Sequence, residues 1–390
     1  KNPSPFIFIF IVNKSSFSMF YLIGISLNIF LVILLLLKRN KVYSDKVLMV
    51  WMAIMAIHQL VFYSIYSGFA LQHPHLLGPG LSIPVLHGPM LFLYVLSMTK
   101  ETPVKFKVLF LFFLPYILLT LLAIPFFILS AAEKLHVFET KGKDFEWYLM
   151  IQQILIMVTG IGYVLWSLLL IRRHRANIRE WFSNTEKREL QWLEYLSIGL
   201  GGIWLLVIFF DDHMIFIGVV ILVLFIGFFG INQLPIFHNW QKIDPPDGTN
   251  GTQNPADSQE PPETETSTVR YAKSGLKEDE AKDLHDRLTQ LMEKEALYKK
   301  NDLTLQDLAI RLDTHPNYLS QVINEKEHKN FYTYINNLRV QAFIENASRG
   351  ATKNYTLLAL AFDSGFNSKS TFNKYFKEST GKSPSEYFSV

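Results

Sequence analysis

Long unbroken apolar runs fill the first part of the chain, and a polar background broken by an apolar residue every three or four positions replaces them afterwards. A helix needs about twenty apolar residues to cross the roughly 30 Å hydrocarbon layer of a bilayer. Seven runs approach or meet that length: Phe17–Leu37, Val47–Ser67, Leu81–Met98, Val108–Ser130, Trp147–Ile171, Leu196–Phe210 and Met214–Ile231. The sixth is short and Gly-rich, so its limits are the least defined. The stretch "FIFIFIV" (Phe6–Val12) is too short to span and reads as an interfacial or signal-like segment. The pattern predicts an all-α protein, a seven-span transmembrane helical bundle plus a soluble all-α double helix-turn-helix domain.

Charge orients the spans. Short cytoplasmic loops collect Lys and Arg. One set of loops holds Lys38, Arg39, Lys41, Lys46, Lys100, Lys105, Lys107, Arg172, Arg173, Arg175, Arg179, Lys187 and Arg188. The opposite set holds only Lys1, Lys14, Lys134, Lys141 and Lys143. The richer side is expected to be cytoplasmic, with the N-terminus outside and everything after Gln233 inside.

Composition breaks at about residue 242. The segment "IDPPDGTNGTQNPADSQEPPETETST" (Ile243–Thr268) has five prolines, six acids and no Lys or Arg. It has too little apolar surface to fold and is expected to be a disordered tether. The expected domains are therefore 1–241 in the membrane, an acidic Pro-rich linker at 242–275, and a helical domain at 276–390.

Within that last domain, Leu284, Leu288 and Leu291 mark one face of a first helix. "LTLQDLAIRLD" then opens with Thr304 as N-cap and Asp307 at the capping-box position. Asp313 breaks the pattern, and "HPNYLSQVINEK" starts a second helix with Pro316 at its first turn. The same grammar returns fifty-two residues later. Leu360 and Ala361 stand where Leu308 and Ala309 stood, and Gly365 replaces Asp313. That position calls for a left-handed backbone, free for Gly and tolerated by Asp. Phe372 and Phe376 then face inward. "NFYTYINNLRVQAFIENASRG" reads as one long connecting helix, Gly381 as a stop, and Ser383-Pro384-Ser385-Glu386 as a capping box.

Two helix-turn-helix units on one connector can lay their second helices in adjacent segments of the major groove of double-stranded DNA. On the first such helix Asn317, Tyr318, Ser320, Gln321 and Asn324 are expected to point away from the core. On the second, Lys369, Ser370, Asn373, Lys374 and Lys377 do so. Asn and Gln suit adenine, and Lys suits guanine or phosphate. From Lys326 onward there are nine basic and five acidic residues, a net charge of +4.

The segment from about Leu303 to Phe388 resembles the DNA-binding domain of AraC-type transcriptional regulators, through "LTLQDLA", "NYLSQVINE", "NFYTYINNLRV" and "LALAFDSGFNSKSTFNKYFKESTGKSPSEY". The resemblance implies transcription control, contact with RNA polymerase, and base-facing roles for Asn317, Ser320, Gln321, Lys369, Ser370, Asn373 and Lys374. Two positions depart from the pattern: Asp313 replaces a frequent small residue, and Phe388 stands where Arg often follows the final Tyr.

The chain has no cysteine, which excludes disulfides and thiolate chemistry. No phosphate loop, nucleophile elbow or metal-spaced His cluster occurs, so neither enzyme nor cofactor is expected. His58, His87, Gln152 and Gln153 lie in or near spans and read either as pocket residues or as helix-to-helix hydrogen bonders. His73, His75 and Asp211–His213 read as loop residues; Pro84, Pro89, Pro115 and Pro125 are candidate kinks. The expected function is a membrane-bound, sequence-specific DNA-binding regulator in a bacterial cytoplasmic membrane. It would couple an unknown signal ligand, bound in the bilayer-embedded half, to promoter binding, with a homodimer left open. The alternative is a membrane transporter or intramembrane enzyme with a C-terminal protein-interaction domain. It would need ionisable pairs within spans, and no Asp, Glu, Lys or Arg lies centrally in any of the seven runs.

Overall fold

The computed structural model describes residues 14–100, 104–186, 189–210, 212–230, 276–349 and 355–388. The stretch Phe6–Val12, the linker at 242–275 and Asp211 lie outside the described residues. The described residues are helical, with one isolated bridge, Phe182 to Thr304. The chain divides into two compact units, Lys1–His174 with Leu190–Trp240, and Arg175–Glu189 with Gln241–Val390.

The first unit is built from α1 (Lys14–Leu37), α2 (Tyr43–Tyr66), α3 (Phe69–Gln72), α4 (His87–Thr99), α5 (Phe106–Leu122), α6 (Ile124–Phe127), α7 (Ala131–Glu139), most of α8 (Glu146–Trp181), α9 (Gln191–Phe209) and α10 (Asp212–Gly230). Trp51, Met52, Leu91, Leu119, Leu193 and Val223 are in its fully buried core. Large apolar side chains also cover its outside, including Leu37, Phe209 and Phe228 at 73%, 75% and 69% exposed. An apolar outer surface of this kind suits a lipid environment better than water.

Four helical stretches, not seven, are long and apolar enough to cross a membrane: Met19–Leu37, Tyr43–Tyr66, Lys143–Trp181 and Gln191–Phe209. The expected third, fourth and seventh spans correspond to the shorter apolar helices Ile83–Thr99, Lys107–Leu122 and Met214–Gly230. Proline explains two of the three. Pro84 sits in a 3₁₀ turn that precedes α4, and Pro125 opens α6, so α5 stops at Leu122 instead of running on to Ser130. The fifth run errs the other way and continues past Ile171 to Trp181.

Several polar residues flagged in this half make hydrogen bonds between segments. The Gln152 amide donates to the Leu81 carbonyl at 2.7 Å. His58 Nδ1 and His87 Nε2 lie 2.9 Å apart, and the Trp51 indole donates to His87 Nδ1 at 3.4 Å. Gln152 also lines a cavity of about 130 Å³ with Phe62, Phe126, Phe145 and Tyr148.

The second unit contains α11 (Glu278–Glu295), α12 (Leu305–Arg311), α13 (Pro316–Glu327), α14 (Phe331–Ser348), α15 (Leu357–Asp363), α16 (Lys369–Thr380) and α17 (Pro384–Tyr387), together with residues 175–189. It has two cores. Leu284, Leu288, Leu305, Leu308, Leu319, Val322 and Ile323 form the first with Phe331 and Ile335 of α14. Leu360, Ala361, Phe366, Phe372 and Phe376 form the second with Val340 and Phe343, further along α14. The connecting helix thus belongs to both.

Candidate nucleic-acid interface

The first helix pair is set by its caps. Thr304 Oγ1 accepts from the Asp307 amide at 3.1 Å, and the Asp307 carboxylate accepts from the Thr304 amide at 3.0 Å. This reciprocal box satisfies two otherwise orphaned donors and starts α12. Between α12 and α13, Asp313 adopts φ +49°, and Pro316 occupies the first turn of α13. In the second pair, Thr356 and Ser368 cap α15 and α16, and Gly365 takes φ +99° at the turn. Gly381 ends α16 at φ +76°, and Ser383 with Glu386 boxes α17. The left-handed turn expected at Asp313 and Gly365 is thus present in both copies.

The ten residues singled out for DNA contact do not share one environment. Lys369, Ser370, Asn373, Lys374 and Lys377 on α16 are exposed, with Lys374 Nζ 4.0 Å from Glu378. On α13, Asn317 and Tyr318 are exposed and Asn324 is half-buried. Ser320 and Gln321, expected to face outward, are each only 6% exposed. Gln321 turns along its own helix and donates to the Glu325 carboxylate at 2.9 Å.

Ser320 is covered by residues that sequence reading assigned to a plain loop. The Glu180 carboxylate accepts from Ser320 Oγ at 3.3 Å and from Asn324 Nδ2 at 3.2 Å. The Glu186 carboxylate accepts from Thr371 Oγ1 at 2.6 Å and from Ser368 Oγ, at the start of α16. Between these acids, the Ser183 amide donates to the Leu303 carbonyl at 3.1 Å.

Arg339 of α14 ties these parts together. Its side chain is 2% exposed. Nε donates to the Tyr298 carbonyl (2.7 Å), Nη1 to the Ser183 carbonyl and Asn336 Oδ1 (both 3.1 Å), and Nη2 to Ser183 Oγ (3.1 Å) and the Lys300 carbonyl (2.9 Å). Burial pulls this guanidinium down to about 10, and five acceptors offset the desolvation of its charge. Arg179 stands over the Tyr332 ring and pairs with Glu189 at 3.2 Å. Burial pushes the Glu189 carboxyl up, but the Thr185 hydroxyl and Arg179 pull it further down, so it lies below the usual carboxylate range.

Nothing in the pattern of residues 175–189 announced this role, because its acids are interleaved with bases and read as an ordinary charged loop. The chemistry available is that of groove recognition: one polar helix and one lysine-bearing helix, each fixed by a left-handed turn. No curated protein and no solved structure matches the chain. Residues 308–389 match the family model of a helix-turn-helix domain, a DNA-binding regulatory domain and not an enzyme family.

Proposed function

We propose that the chain is a membrane-bound, sequence-specific transcriptional regulator of the AraC type, with α13 and α16 as its two reading helices. The observation that carries this reading is the repeated helix pair on one shared connector, over the residues that match a helix-turn-helix domain. Asn317, Tyr318, Ser320, Gln321 and Asn324 would read through the first helix. Lys369, Ser370, Asn373, Lys374 and Lys377 would read and anchor through the second.

Four candidate spans and an apolar exterior support a bilayer as the second partner. The Arg-rich end of α8 favours the cytoplasmic side. Residues 175–189 fall in the same compact unit as the helix-turn-helix domain, which supports a cytoplasmic reading for that unit as well. The signal is a ligand of the membrane half whose affinity differs between two states of the protein. The cavity beside Tyr148 and Gln152 has room for a small, mainly apolar molecule.

The test is a gel shift of the full chain in detergent on the DNA upstream of its own coding sequence, across a salt series. A sequence-selective shift that weakens steeply with salt is the expected result. Failure to prefer any fragment at low salt would refute the reading.

A further inference from the structure

We infer that residues 179–186 are an internal substitute for DNA, which occupies donors on the face of α13 and at the N-terminal end of α16 until it is withdrawn, while the α16 lysines stay exposed; this rests on the DNA-binding reading above and names its regulation. Protein side chains hold DNA through donors aimed at phosphate oxygens and base acceptors. Glu180 and Glu186 present carboxylate oxygens to donors of that kind. One takes Ser320 and Asn324 on α13; the other takes Ser368 and Thr371 at the start of α16. Each acid therefore engages one member of the repeated pair. Ser320 and Asn324 cannot donate to a base edge while they donate to Glu180. Two carboxylates on a surface meant for a polyanion also repel it.

The mask is held at its middle and is built to let go. Ser183 is fixed by the Leu303 carbonyl and by Arg339. Three of the five Arg339 hydrogen bonds go to Tyr298, Asn336 and Lys300. Losing Ser183 thus leaves the guanidinium still bonded to three acceptors instead of stranded. Glu180 is in the last turn of α8, a helix that begins at Glu146 in the apolar half of the sequence. A shift of that last turn moves Glu180 directly and would withdraw its carboxylate from Ser320 and Asn324. Competition of this kind lowers apparent affinity by the fraction of unmasked protein.

The experiment uses the full chain in detergent and a labelled duplex from upstream of its own coding sequence. Native protein is compared with Glu180→Ala/Glu186→Ala by fluorescence anisotropy. The double variant should bind about tenfold tighter or more, because the unmasked fraction rises. Equal affinity for the two proteins would overturn the mask and leave the DNA-binding reading standing. Absence of any binding by either protein at low salt would sink both.

A second arm holds the mask shut. The chain lacks cysteine, so Glu186→Cys/Thr371→Cys supplies the only two thiols, which a short reductant-cleavable bismaleimide can join. The joined form should lose DNA binding and regain it on reduction, in a single sample whose folding is thereby controlled. Undiminished binding by the joined form, or failure of the pair to join, would overturn the inference.

Discussion

Gly365 and Asp313 occupy equivalent turns, yet their surroundings give them opposite tolerances. A Cβ on Gly365 would meet the Tyr298 carbonyl oxygen at 2.6 Å and the Lys299 Cα at 2.8 Å, at a φ of +99°. Gly365→Ala should therefore push the second turn away from the Tyr298–Lys299 backbone beside it, costing more than about 2 kcal/mol from backbone strain and the clash combined. Asp313→Gly relieves a left-handed Asp and should stay within about 1 kcal/mol of native, on the stabilising side. Hydrogen exchange of the α14 amides reads both effects, and the reverse order would show that the two turns are not equivalent. Lys374 is exposed and paired only loosely, with Glu378. Lys374→Ala should weaken DNA binding and flatten its salt dependence by about one unit of slope if the side chain meets phosphate. An unchanged salt slope would move Lys374 off the backbone contact. These positions were legible because turn chemistry and helix faces are local properties. Arg339 was not, because its five acceptors come from three separated stretches of chain, and a lone Arg in a helix reads as surface.

The best-read helices were those whose ends are written in side chains. Thr304 with Asp307 and Ser383 with Glu386 form the expected boxes, and Pro316 starts α13 where expected. Thr304→Ala should cost about 1 kcal/mol of local stability. The loss should appear as faster exchange in α12 while α15 stays unchanged; equal effects in both would mean that the cap is not local. Apolar helices carry no such punctuation. The expected fourth span runs through Pro125, where α5 has already stopped, and the expected fifth ends at the first arginines although α8 continues for ten more residues, to Trp181. Hydropathy reports what a helix is surrounded by, whereas its length follows from hydrogen bonding, which arginine does not interrupt; of the two prolines in the fourth run, Pro115 lies inside α5 and Pro125 starts α6 after the break.

Across the whole molecule, the division into an apolar unit and a helix-turn-helix unit follows the change of composition near residue 242. The exception is residues 175–189, which lie early in the chain and fold with the late unit. Sequence distance hid this, since the partners of Glu180 and Glu186 lie 140 to 185 residues away. If the positive-inside argument holds, an epitope at Val390 and a thiol probe placed at Asn184 should both be protected in intact spheroplasts and both be reached after lysis. Labelling of either before lysis would overturn the cytoplasmic placement. The two cores along α14 bear on the genome as well as on the protein. Because one continuous helix is packed into both cores, the distance and angle between α13 and α16 are set by that packing and not by a flexible link. If α13 and α16 are both readers, as proposed, the operator must keep a constant phase, so that inserting a few base pairs between its halves should be as damaging as deleting one of them. New target promoters would then arise by copying or converging on the entire site, not by assembling its two parts at variable separation.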